Sequence, residues 1–161
     1  MQIVFIGQQP ATPDDEGQPL IIKPNSSGER LQKWMGVTPV QFEEHFMRVN
    51  LNPWADTDEF TPGHHVAAAR NLYELLYGRR VVLLGPSVAE AFGIRRKSFT
   101  YFHFYDHPEA HFLFSVMPHP SGLNRLYNNP ATVGQAKKFL RKLWDLRYDA
   151  PLIEDQPRVD V

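Results

Sequence analysis

The stretch HFLFSVMPHPSGLNRLYNN, residues 111–129, decides how the chain is read. It opens as an apolar run of strand length. It then places His119 between Pro118 and Pro120, and follows with Ser121, Gly122, Leu123, Asn124 and Arg125. A plain connection needs one or two turn residues. This one is long, stiffened by two prolines and rich in donors. Asn129-Pro130 then caps a helical pattern that runs to about Trp144. Stiff polar loops at strand ends are where sites are usually built.

Working outward, the same strand-then-loop pattern recurs. Ile3 to Ile6 is an apolar run closed by Gly7 and reads as a buried strand. A long loop covers residues 8 to 28, a length that points to function or disorder. Ser26 with Glu29 fits a capping box ahead of a short helix, and Thr38-Pro39 with Gln41 opens another. FMRVNL, ending near Asn50, is the second strand. A helix is expected from Thr61-Pro62 through Tyr77, closed by Gly78, then a strand over Arg80–Leu84 and a helix over Pro86–Phe92. SFTYFHFY, residues 98–105, reads as an extra strand or hairpin arm. Strands alternating with helices imply a parallel sheet covered on both faces. The expected fold class is α/β: a three-layer α/β/α sandwich around a mainly parallel, four-stranded sheet. It occupies residues 1–149, with 150–161 a flexible acidic tail. In such sheets ligands sit beyond the carboxyl ends of the strands. The segments there are GQQPA, NLNPW, LGPS and MPHPSGLN, and three of the four set polar groups beside proline.

Composition narrows the function classes. Apolar residues make up 42% of the 161, with eleven Phe, so a core forms and disorder of the whole is excluded. There is no cysteine, which removes disulfides, Cys-ligated zinc and iron–sulfur clusters together. No run approaches membrane-spanning length, and MQIVFIG lacks the basic start of a signal peptide. A soluble, intracellular monomer that does not engage membranes is expected. The net charge of −1 is lukewarm for a nucleic-acid binder, although acidic clusters can mask a local basic face. His103, His107 and His111 are spaced by four, but Pro108 interrupts the run and the flanks read as strands, so no metal is expected. His64-His65 reads as surface.

The ordered set IVFIGQQPA, GQPL with SSGERL, RVNLNP, VVLLGPSVAEAFG and MPHPSGLNRLYNNP resembles the uracil-DNA glycosylase superfamily over residues 3 to 145. The resemblance implies a DNA glycosylase acting on a flipped or single-stranded base, without metal or organic cofactor. By resemblance His119 donates to the departing base's carbonyl oxygen, as an oxyanion donor does. Leu123 becomes a wedge entering the minor groove, Ser121 and Gly122 lie near phosphate, and Asn124 and Arg125 add backbone contacts. Asn50 fits the base reader, because a side-chain amide offers a donor and an acceptor in one plane. The resemblance also sets Gly7 and Pro10 among the base-binding residues.

The chain departs from the family pattern at three places. Where branches carry a water-activating Asp, Asn or acid, Gln8 and Gln9 stand here. An amide cannot accept a proton at neutral pH but can orient water. Asp14, Asp15 and Glu16 follow in the same loop and are candidates to supply a carboxylate, although such triplets are more often solvated surface. The uracil-specific branch blocks a 5-methyl group with a tyrosine where Ala11 stands, so the pocket is expected to admit 5-substituted pyrimidines. Leu20, in GQPL, replaces a stacking phenylalanine. The glutamines leave open a weakly or non-catalytic module that recognises a modified base. The near-neutral charge leaves open an N-glycosidase acting on free nucleotides.

Overall fold

The structure, a computed structural model, describes residues 2–10, 12–54 and 62–149. Five strands form one sheet in the order β2-β1-β3-β5-β4. These are β1 (Ile3–Gly7), β2 (Met47–Asn50), β3 (Arg80–Leu84), β4 (Tyr105–Asp106) and β5 (Leu113–Met117). β1 pairs parallel with β2 and β3, and β3 with β5; β4 runs antiparallel on the β5 edge. The helices are α1 (Ser27–Met35), α2 (Pro39–His45), α3 (Pro62–Asn71), α4 (Tyr73–Leu76), α5 (Pro86–Ala91) and α6 (Pro130–Leu146).

The period of two along the strands divides the core. Val4, Ile6, Val81, Leu83 and Val116 face one layer, packed on Ala69 of α3, Leu76 of α4 and Val88 and Ala89 of α5. Ile3, Phe5, Val82, Leu84 and Met117 face the other, packed on Leu31 and Met35 of α1, Phe42 of α2 and Phe139, Leu140 and Leu143 of α6. Helices therefore cover both faces, as the alternation of the sequence implies.

Three details differ from expectation. The sheet has five strands rather than four. The fifth lies in the segment expected to form an extra strand, but only Tyr105 and Asp106 pair. Phe102 adopts a left-handed backbone (φ 67°), which no extended run tolerates, and its amide bonds Val116 O at 2.9 Å. The helix expected through Tyr77 is two helices. At Leu72 the amide bonds Ala69 O, three residues back, and this interrupts the i→i−4 ladder. Its expected start at Thr61 lies outside the described residues, as does the expected tail at 150–161. The capping box of α1 is only half made. Ser26 Oγ accepts from Glu29 N at 3.0 Å, but Glu29 Oε1 accepts from Asn25 N rather than from Ser26. At α2 both halves of the Thr38–Gln41 box form.

The three spaced histidines do not converge. His107 is buried, its Nε2 bonded to Phe92 O at 2.8 Å and its Nδ1 accepting from Glu109 N and Ala110 N. His103 and His111 are exposed, and His111 sits against the Tyr77 ring. Among the described residues no helix is long and apolar enough to cross a membrane.

Two glycines in helices make opposite demands. A Cβ on Gly28 would lie 2.2 Å from Leu20 O and 2.6 Å from Ile21 O, so α1 presses its first turn onto the long loop. A Cβ on Gly134 of α6 would meet nothing within 4 Å. Gly28→Ala is expected to destabilise by about 3 kcal/mol through overpacking against fixed backbone. Gly134→Ala is expected to stabilise by about 0.5–1 kcal/mol through helix propensity. Urea unfolding of the two variants checks the contrast, and equal effects would contradict the close approach at Gly28.

Candidate active site

The β1–β2 ladder ends in register at Gly7 opposite Asn50 and continues beyond the strands. Leu51 N bonds Gly7 O at 3.0 Å and Asn52 N bonds Gln8 O at 2.8 Å. The two asparagines then divide their work. Asn52 is buried and ends the strand, accepting from Trp54 N at 2.9 Å and donating to Gln9 Oε1 at 3.4 Å. Asn50 makes no side-chain hydrogen bond among the described residues, and its amide lies across Gly7. A Cβ on Gly7 would sit 2.7 Å from Asn50 Oδ1, so glycine is what lets the amide rest there.

Across the β1–β3 switch in strand order, the same sheet edge carries His119. Pro118 and Pro120 are buried on either side of it. Gly85, with φ 106°, lets the loop after β3 pass within 3.6 Å of the His119 Cβ, measured from an added Cβ. The ring is oriented by the main chain: Ser121 N donates to His119 Nδ1 at 3.1 Å. An acceptor at Nδ1 requires the hydrogen on Nε2, so the neutral ring presents an N–H donor. Burial pushes the His119 pKa below its ordinary value, which favours that neutral form. The loop is tied further by Asn124 Nδ2 donating to His119 O at 3.0 Å and by the Tyr127 hydroxyl donating to Pro118 O.

Asn50 and His119 open into one cleft of about 450 Å³, whose walls include Gly7, Gln8, Gln9, Pro10, Leu20, Ser121 and Gly122. Leu20 holds a left-handed backbone (φ 51°), which turns the loop over the cleft. Ala11 lies outside the described residues. The cleft also contains a pair that sequence reasoning missed. Asp14 and Glu16 are solvated as expected, but Asp15 is buried. Its carboxylate binds Lys23 Nζ at 2.6 and 2.7 Å and accepts from Thr12 Oγ1 at 3.1 Å. The Lys23 hydrogen bond holds the Asp15 carboxyl below the usual carboxylate range. No periodic signal announces this pair, which is formed eight residues apart inside an irregular loop.

Beyond the cleft the chain projects outward. Leu123 is 92% exposed, an unusual position for leucine at the tip of a braced loop. Its amide bonds Ser121 Oγ at 3.2 Å. Asn124 has both ends of its amide engaged, donating to His119 O and accepting from Leu126 N at 3.1 Å. Its place in the structure is that of a brace for the histidine loop. Arg125 is exposed beside it.

These features define an α/β protein whose cleft lies at the carboxyl edge of a parallel sheet. In particular, the chain belongs to the uracil DNA glycosylase superfamily, whose family model matches residues 1–146. No curated protein matches it significantly.

The tautomer carries a testable pH dependence. The folded pKa of His119 is lowered, so the stability that its neutral ring contributes is complete above the unfolded value, about 6.5. That contribution is lost as pH falls through the lowered folded pKa, when a proton on Nδ1 opposes the Ser121 N–H. Nitrogen-detected NMR is expected to show the Nε2–H tautomer at neutral pH and a midpoint below that of free histidine. A midpoint above it, or an Nδ1–H ring, would contradict the arrangement.

Proposed function

We propose that the protein is a DNA glycosylase that hydrolyses the N-glycosidic bond of a flipped, uracil-like or 5-substituted pyrimidine. The observation that carries the proposal is that a neutral histidine donor and an uncommitted amide, Asn50, open into one cleft beside an exposed leucine. The superfamily consists of DNA glycosylases, which agrees with the reading.

The chemistry follows from these groups. The Asn50 amide pairs with the N3–H and O4 edge of the base. As the C1′–N1 bond breaks, its electron pair passes to the base, and charge grows on O2. His119 Nε2–H donates to that oxygen without transferring its proton, as an oxyanion donor does. Water adds to C1′ from a position set by Gln8, whose amide orients it and points its dipole at the sugar cation, while Gln9, its carbonyl turned to Asn52 Nδ2, steadies the loop beside it. The attacking water gives up its proton to solvent, and the released base anion regains one there. Leu20 packs on the base, and alanine in place of the family's tyrosine at position 11 removes the steric block against a 5-substituent. Leu123 enters the gap left in the stack, while Ser121, Gly122 and Arg125 meet backbone phosphates.

Gln9 motivates a second reading. Its carbonyl faces Asn52 Nδ2 and neither motif position holds a carboxylate, which suits a module that binds a modified base with little turnover.

The test is single-turnover excision on oligonucleotides carrying uracil, hypoxanthine, mismatched thymine and 5-substituted pyrimidines, scored as abasic sites. At least one base is expected to be released, and His119→Ala is expected to slow that release about a hundredfold or more. Tight binding of a modified base with no abasic sites in any duplex or single strand favours the recognition module instead.

Leu123→Ala is expected to reduce action on duplex DNA more than on single strands, since opening a stacked helix costs a few kcal/mol that a single strand does not require. Equal losses on the two substrates would remove the wedge role.

A further inference from the structure

Arg30 lies in the SSGERL stretch, in the first turns of α1, and the sequence assigns it no role. Its guanidinium carbon lies 5.6 Å from the centroid of the Trp34 ring, one helical turn on. Trp34 packs in turn on Tyr127 at 4.7 Å, and the Tyr127 hydroxyl bonds Pro118 O, immediately before His119. The guanidinium also reaches the histidine loop itself. A Cβ added to Gly122 would lie 3.2 Å from Arg30 Nη2, 3.9 Å from Cζ and 4.0 Å from Nη1.

This cation is positioned without an acid. Among the described residues the ion pairs are Lys23–Asp15, Lys33–Glu29 and Arg96–Glu90, and Arg30 is in none of them. The neighbouring carboxylate, Glu29, is turned to Asn25 N and Lys33. An arginine held on an aromatic face and against loop backbone, with its donors unspent, is preorganised for an external anion. The planar fork suits a phosphodiester, and it sits one residue from the exposed Leu123.

We propose that Arg30 binds a backbone phosphate of the DNA strand gripped by the loop from His119 to Leu123. On this view Gly122, which has no side chain, leaves the guanidinium room beside the loop. The inference rests on the DNA reading of the cleft and adds to it a phosphate-binding residue from a different part of the chain.

The probe is a duplex oligonucleotide with one tetrahydrofuran abasic-site analogue, and the measurement is affinity across a salt series. Arg30→Met keeps an apolar stem on Trp34 and is expected to bind about tenfold more weakly. Its log–log salt slope should be shallower by about 0.9, the value for one phosphate contact. A set of duplexes, each carrying one neutral methylphosphonate, is expected to reveal one position that weakens the native protein and leaves Arg30→Met unaffected. Arg30→Gln removes the charge but keeps a polar side chain on the same helix face, and should lose sensitivity at that same position. This second variant decides the matter if Arg30→Met does not fold.

The outcomes separate the two proposals. If the native protein binds with a steep salt slope but every methylphosphonate costs the native and variant proteins equally, Arg30 is not a phosphate ligand and the DNA reading stands. If the native protein shows no salt-dependent binding to DNA, the DNA reading falls and the role of Arg30 falls with it.

Discussion

The contact between Asn50 and Gly7 is the constraint on which the rest of the site depends. A parallel ladder fixes which residues oppose one another, and here it sets Asn50 against a residue with no side chain. The added Cβ at 2.7 Å from Asn50 Oδ1 means that any larger residue would move the amide rather than the strand. β1, the strand that the amide rests on, is buried along its whole length and does not yield, while β2, which carries Asn50, is half-buried at the sheet edge. The opposite wall is fixed by different means. His119 is held by its own loop through Ser121 N, Asn124 and Tyr127, and against β3 through the left-handed Gly85. Each of the two groups is thus set by backbone geometry, which lowers the cost of ordering them at binding.

Much of this was legible in the sequence, for identifiable reasons. β1, β3 and β5 are continuous apolar runs because they are buried on both faces, and the loops after them carry the prolines and polar residues that the sheet edge collects. Asn50 is legible from its planar amide at a strand end, and the structure gives the task of ending that strand to its neighbour Asn52. β4 was harder. Two residues leave no periodicity, and the turn that creates the strand depends on a left-handed Phe102 that no propensity favours. Asp15 looked like one of three solvated acids, and only the folded loop reveals that Lys23 returns to it. Arg30 and Gly122 are adjacent only through the packing of α1 beside the histidine loop, so neither residue type announces the other.

The fixed charges of the cleft bear on how the proposed reaction divides its work. Asp15 is ionised, but Lys23 neutralises it at contact distance, and the His119 ring is neutral. Among its described residues the cleft therefore presents donors and amides with little net charge. A full charge 4 Å from a developing opposite charge contributes about 4 kcal/mol at an effective dielectric of 20, and an amide dipole contributes only a fraction of that. In the proposed reaction an anionic leaving base meets His119 Nε2–H, whereas the sugar cation faces the Gln8 amide, the Gln9 carbonyl being turned to Asn52 Nδ2. On the proposed mechanism the catalytic burden falls on departure of the base. Positioning by Asn50, by the wedge and by the phosphate grip then matters more than activation of water, because effective molarity is the largest contribution left to a cleft with no free carboxylate among its described residues.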